Sequence, residues 1–179
     1  MGDPKKPRKK YERPYKPFSR VVIEESNRLA GEYGLRNKRE LWRAAYLARK
    51  YRRIARKLLS APPEEAMKVV GPVIRKLQRY GIVGKDATLD SLLDIKVEDF
   101  LERRLQTIVW RKGLAKTPYM ARQLIVHGHI LVNGTRIRQP GYLVPKDEED
   151  KIECTLKLPV QQEEAQEEGG EVNVEAREG

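Results

Sequence analysis

Cysteine occurs once, at Cys154, so no internal disulfide can form and a four-cysteine metal site is excluded. That usage suits a reducing compartment. Histidine occurs twice, at His127 and His129, with no cysteine nearby to complete a metal site, so phosphate contact or a structural role suits the pair better. No apolar run approaches the roughly 18 residues of a membrane span, and the N-terminus lacks a secretory apolar core. The expectation is a soluble, cytoplasmic protein. Apolar residues make up 39% of the chain and charged residues 35%, below and above ordinary globular usage respectively. Much of the chain must therefore be solvated or lie against a polyanion.

The net charge of +11 is concentrated at the front. Residues 1–60 hold 19 basic and 6 acidic side chains, residues 61–150 hold 15 and 12, and residues 151–179 hold 3 and 8. Residues 1–18 combine four prolines, seven basic residues and three aromatics. Proline blocks regular pairing and like charges repel, so this arm is expected to be disordered when free and to order by threading into RNA, its tyrosines stacking on bases. Residues 159–179 hold seven glutamates and no aromatic, and are expected to form a disordered, solubilising tail.

Between these ends the periodicity is helical. A first helix is expected from about Val21 to Tyr33, closed by Gly34. Asn37 with Glu40 three positions on reads as a capping box, opening a long helix to about Leu59. Its apolar positions Leu41, Ala44, Ala45, Ala48, Ala55 and Leu58 are mostly alanine, while Arg39, Arg43, Arg49, Lys50, Arg52, Arg53, Arg56 and Lys57 crowd the remaining surface. So little apolar area gives weak membrane insertion at about 25 cal/mol per Å². A polyanion would instead relieve the repulsion among these cations. Ser60 as a cap, followed by Pro62, Pro63, Glu64 and Glu65 in the first turn, predicts the start of another helix, with Met67, Val70, Ile74 and Leu77 on one face, a bend at Gly71-Pro72 and an end near Gly81. Residues 89–95 predict a short helical piece.

A cationic segment follows, with eight Lys or Arg residues between Leu101 and Pro140 against one acid, Glu102. One helix is expected from Val97, with Leu101, Leu105, Ile108 and Val109 on a stripe, closing at Arg111, Lys112 and Gly113. Thr117-Pro118 predicts a second helix that turns Ala121, Leu124 and Ile125 inward and leaves Arg122 and Gln123 outward. Gly128 ends it. Asn133-Gly134 between β-rich triplets is a type I′ hairpin signal and sets Arg136 and Arg138 on the same side of the ribbon. A later strand, 152–156, is expected to face Ile152, Cys154 and Leu156 to the core. Asp90, Asp94 and Asp99 lie in helix-start contexts, where capping explains them better than catalysis. Trp42 and Trp110 lie within helical patterns, as core residues rather than base-stacking ones.

Residues 104–144 (RLQTIVWRKGLAKTPYMARQLIVHGHILVNGTRIRQPGYLV) resemble the RNA-binding motif named after ribosomal protein S4. The matching pieces are Arg104-Leu105, Gly113-Leu114-Ala115, residues 121–125 (ARQLI) and residues 127–134 (HGHILVNG). Gln106 stands where an acid is frequent, and Gly141 where serine is frequent. Residues 33–43 (YGLRNKRELWR) and 97–107 (VEDFLERRLQT) are similar to the archaeal and eukaryotic branch of the ribosomal protein family itself. The setting expected of pseudouridine synthases, which share the motif, is absent.

The resemblance implies an α+β, mainly α chain: a basic arm at 1–18, a helical domain at 19–100, an S4-type domain of two helices on a short antiparallel sheet at 101–158, and the acidic tail from 159. It implies a non-enzymatic constituent of the small ribosomal subunit in the cytoplasm, one that binds small-subunit rRNA early, nucleates the subunit body and influences decoding accuracy with neighbouring proteins. A contact with mRNA near the entry channel is a further expectation; no cofactor, metal, membrane or stable homo-oligomer is expected. Arg39, Arg43, Arg49, Lys50, Arg52, Arg53 and Arg56 on the long helix are candidate rRNA contacts. Arg104, Arg111, Lys112, Lys116, Thr117, Arg122, Gln123, His127, His129, Asn133, Arg136 and Arg138 are the candidates on the motif. The alternatives are an RNA-modifying enzyme or a ribosome-associated RNA chaperone carrying the same motif.

Overall fold

The computed structural model describes residues 10–156, apart from the side chains of residues 63–67. The expectations for residues 1–9, for the acidic tail and for the Met67 side chain lie outside that range. The chain divides into two compact units, Met1–Arg103 and Arg104–Gly179.

The first unit is helical: α1 (Arg20–Glu32), α2 (Lys38–Leu59), α3 (Pro63–Arg79), a one-turn 3-10 helix at Asp90–Leu92, and α4 (Val97–Glu102). Asn37 caps α2, its side chain accepting from the N–H groups of Arg39 at 3.0 Å and Glu40 at 3.3 Å. The buried seam of α2 is small, with Leu41, Ala44, Ala48 and Ala55, which lets α4 approach closely. There Phe100 stacks on Tyr51 at 5.8 Å between ring centres. Tyr33 is buried at the C-terminus of α1 and donates its hydroxyl to Glu102 Oε1 at 2.9 Å, tying the two ends of this unit's sequence together.

Ser60 does not cap α3. It terminates α2, its Oγ donating to Lys57 O at 3.0 Å, and α3 begins on the two prolines instead. α3 continues through Pro72 to Arg79. The segment 89–95 yields only the single 3-10 turn. Asp99 acts as a cap, as its helix-start position suggests, with Oδ2 accepting from Lys96 N at 2.7 Å.

The second unit comprises α5 (Leu105–Arg111), α6 (Pro118–His127), β1 (Ile130–Val132), β2 (Thr135–Arg136), α7 (Lys146–Glu149) and β3 (Ile152–Cys154), with sheet order β2-β1-β3 and both pairings antiparallel. The single helix expected from Val97 to Arg111 is in fact two. Arg104 is extended and bridges Leu143, and the first N–H groups of α5 are taken by loop carbonyls: Leu105 N donates to Tyr142 O at 2.8 Å and Gln106 N to Pro140 O at 3.3 Å. Those donors have no partner within a new helix, so the loop serves as the cap. Thr117 caps α6 with Oγ1 accepting from Met120 N at 3.2 Å, and Pro118 occupies its first position. Asn133 and Gly134 have φ of 50° and 73°, the left-handed pair a type I′ turn demands, with Val132 opposite Thr135. Leu105, Ile108, Val109, Leu124, Ile125, Ile130, Val132, Val144 and Ile152 form one core. Leu156, expected to face it, lies past the end of β3 and is 40% exposed.

Candidate nucleic-acid interface

At about 100° per residue, Arg39, Arg43, Tyr46, Lys50, Arg53 and Lys57 fall within about 40° of one line along α2, on the side away from the alanine seam. The five cations of that row are exposed and Tyr46 is half-buried. Spread over roughly five turns, about 27 Å, the row offers a cation on most turns of an otherwise rigid rod. Arg49 and Arg56 flank it, while Arg52 lies about 140° from the row, at the edge of the buried seam; Arg49 and Arg52 are half-buried. Glu12 reaches this flank, with its carboxylate 3.4 Å from Arg49 Nη1 and 3.8 Å from Arg53 Nη2. Tyr11 stacks on Trp42 at 6.0 Å between ring centres. The described part of the N-terminal arm is thus not a tail without fixed contacts: it lies against α2. Trp42 also differs from a pure core residue, since its ring receives that tyrosine.

In the second unit, cations collect at two places. The first is the N-terminus of α6, where Lys116, Thr117, Tyr119, Arg122 and Gln123 lie together. Arg122 is held by Gln106, whose Oε1 accepts from Arg122 Nη1 at 3.3 Å while its Nε2 donates to Pro118 O at 3.0 Å. Thr117 Oγ1 serves as the cap and keeps its own proton available to donate. Tyr119, 56% exposed, is a member of this face that the sequence reading passed over. Its signal was an aromatic beside a proline cap with cations on either side.

The second place surrounds Gly128, where α6 ends with φ of 81°. A Cβ built on Gly128 would lie 3.0 Å from Arg138 Nε and 3.2 Å from Arg136 Cδ, so both arginine stems pass directly over this glycine. Extending the hairpin register puts Arg138 opposite His129, and Ile137 N donating to Ile130 O at 3.3 Å fixes that continuation. His127 and His129 face each other at 6.4 Å between ring centres. Two arginines and two imidazoles therefore share one patch, with exposed Asn133 at the hairpin tip. Among the described residues no group of three or more His, Cys, Asp or Glu is placed to hold a metal ion.

Two motif candidates are placed elsewhere. Arg104 is only 5% exposed and serves as the residue that starts α5 and bridges Leu143, so it presents no cation to solvent. Lys112 donates its ammonium to Glu149 O and lies 3.9 Å from Asp150 Oδ1, so its charge is spent on the acid-rich α7 end. Arg111, by contrast, is exposed with its guanidinium 5.0 Å from the centre of the half-buried Trp110 ring.

The two packed helices, the I′ ribbon and the third strand define a class, the S4 domain, whose family model matches residues 103–150. Over the longer span, the chain is 74% identical to the small ribosomal subunit protein uS4 of Korarchaeum cryptofilum across 154 residues, 86% of this chain and 92% of that one. It is 52% identical to the protein of the same name from Sulfurisphaera tokodaii across 172 residues, covering 96% and 97%. The Hyperthermus butylicus protein of that name gives 52% across 174 residues, covering 92% and 99%. The chain belongs to the small ribosomal subunit protein uS4 family.

Proposed function

We propose that the protein is a structural constituent of the small ribosomal subunit that binds small-subunit rRNA directly, without making or breaking a covalent bond. The observation that carries this reading is the exposed row Arg39, Arg43, Lys50, Arg53 and Lys57, opposite the packed seam of α2. A row of like charges on a rigid helix is repulsive alone and favourable against a polyanion. The patch around Gly128 and the face of α6 supply a second set of contacts. In A-form RNA the deep major groove excludes side chains, so these cations meet the phosphate backbone and 2′-hydroxyls, and shape selects the site.

The residues assigned to this contact are Arg39, Arg43, Arg49, Lys50, Arg52, Arg53 and Arg56 on α2, with Arg111, Lys116, Thr117, Arg122, Gln123, His127, His129, Asn133, Arg136 and Arg138 on the S4 unit. Residues 19–100 and 101–158 act as two RNA-binding domains between a basic arm and an acidic tail. The protein nucleates assembly of the subunit body, acts in the cytoplasm as a monomer, contributes to decoding accuracy beside neighbouring proteins, and contacts mRNA near the entry channel.

The test is a filter-binding titration of the full chain on a small-subunit rRNA fragment across salt concentrations. With about six phosphates neutralised, log K falls against log salt with a slope of about −4 to −5. A slope near zero refutes the electrostatic mechanism.

A further inference from the structure

We propose that Tyr15 and Phe18 form a stacking platform for unpaired RNA bases, held at a fixed place by the arm's contacts with α2 and by the turn that opens α1. This deepens the rRNA reading and rests on it.

Tyr15 and Phe18 are 97% and 92% exposed, well above the 56% of Leu59 and Tyr119 among the other large hydrophobics. Val21 follows at 71%. Rings left so bare are normally found on loose ends, yet this segment is held on both sides. Upstream, Tyr11 lies on Trp42 and Glu12 engages Arg49 and Arg53. Downstream, Ser19 N donates to Lys16 O at 3.3 Å and Ile23 N to Ser19 O at 3.0 Å, closing a turn that runs directly into α1. Pro17 takes the second place of that turn, where its fixed φ is suited, and Phe18 the third, at the apex. The backbone that carries the rings is therefore held before RNA arrives, which lowers the ordering cost of binding.

Their surroundings select the occupant. Lys10, Arg13 and Lys16 are exposed and alternate with the aromatics along the chain. Glu12 is engaged with the arginines of α2 and Glu24 with Arg20 at 2.7 Å. An apolar protein surface closing over Tyr15 and Phe18 would desolvate these cations without pairing them. A membrane would receive two rings and one valine. A single RNA strand satisfies both features, its bases stacking on the rings and its phosphates meeting the cations. Stacking reads every base by its π-face, so the site takes unpaired RNA without base identity.

The experiment compares the full-length protein with a Tyr15→Ala, Phe18→Ala double variant on two probes: a 12-nucleotide single-stranded RNA and a duplex RNA of the same length. Both rings are solvent-exposed, and a matched thermal melt confirms that the fold is kept. The double variant is expected to bind the single strand at least tenfold more weakly. Its salt slope is expected to be unchanged on both probes, with duplex affinity within twofold of the parent. A Tyr15→Trp, Phe18→Trp variant is expected to retain single-strand binding and to show fluorescence quenching when RNA is added. Equal losses on both probes, or no loss on either while the parent binds both, overturns the platform and leaves the rRNA reading standing. Failure of the parent protein to bind either probe or the rRNA fragment overturns both. Loss of binding to phosphatidylserine vesicles by the double variant, with RNA affinity unchanged, overturns the platform in favour of a lipid surface.

Discussion

Gln106 is fully buried and accepts a hydrogen bond from the half-exposed Arg122 at 3.3 Å, so an uncharged side chain inside the S4 unit steers a cation at its surface. Its other end donates to Pro118 O at 3.0 Å, which holds the first turn of α6 against α5. A neutral amide does this without cancelling the guanidinium charge. Gln106→Leu leaves the Pro118 carbonyl without that donor and should cost about 1–3 kcal/mol of stability in chemical denaturation. Gln106→Glu places a carboxylate beside Arg122 and should reduce the magnitude of the salt slope on rRNA by about one. An unaltered slope in a folded Gln106→Glu protein would remove Arg122 from the set of phosphate contacts.

Gly128 couples backbone conformation to the arginine patch. A side chain there meets the left-handed φ penalty, of order 1–2 kcal/mol, and must push aside Arg136 and Arg138, which are flexible and can move. Gly128→Ala should therefore lower the unfolding free energy by about that amount. It should also weaken rRNA binding at temperatures where the variant is fully folded. Arg136→Ala with Arg138→Ala should leave stability within about 0.5 kcal/mol and reduce the salt slope by about two. Parental affinity in that double variant would show that the patch over Gly128 does not meet RNA.

Tyr33 predicts an alkaline limit for the helical unit. Burial, and then its hydrogen bond to Glu102 with the nearby charges of Glu102, Glu32 and Glu98, raise the phenol well above its ordinary 10.0. A phenol whose folded value is raised contributes stability that is complete below the unfolded value and is lost as pH climbs above it, because the folded state then holds more protons. Tyr51 is raised too, chiefly by burial, so part of the alkaline loss belongs to it. Tyr33→Phe should cost about 1 kcal/mol near neutrality through the lost hydrogen bond. It should also make the unfolding midpoint fall less steeply above pH 10 than in the parent, in denaturation curves taken at one-unit steps. Equal steepness would assign the alkaline loss to other groups.

Features fixed by one or two residues were legible in the chain. Asn37 and Thr117 cap where expected, and Gly128 and Asn133-Gly134 take the left-handed conformations their types favour. The resemblance carried by residues 104–144 also identified the fold of the second unit. Features fixed by distant partners were not legible. The apolar stripe Leu101, Leu105, Ile108 continues in phase across residues 103–104, yet the helix restarts there because the carbonyls of Pro140 and Tyr142 take its first N–H groups. Arg104 counted as a surface cation in the sequence and is buried in the structure. Ser60 has the right chemistry for a cap, but α2 holds it as its own terminus. Nothing local in Tyr11 and Glu12 announces Trp42, Arg49 and Arg53, some thirty residues and more away in sequence.

Lys112 gives the sharpest separation between charge in the sequence and charge available to RNA. It belongs by position to the cationic motif, but its ammonium donates to the Glu149 carbonyl and lies 3.9 Å from the Asp150 carboxylate. Release from those partners would leave the carbonyl and carboxylate to water and yield one phosphate contact in return, a nearly even exchange. Lys112→Ala should thus leave rRNA affinity within about twofold and the salt slope unchanged, while the loss of its hydrogen bond costs about 1 kcal/mol of stability. Lys116→Ala, four residues on and exposed, should by contrast reduce the slope by about one. If Lys112→Ala instead lowers the slope as Lys116→Ala does, the ammonium leaves α7 on binding and joins the RNA contacts.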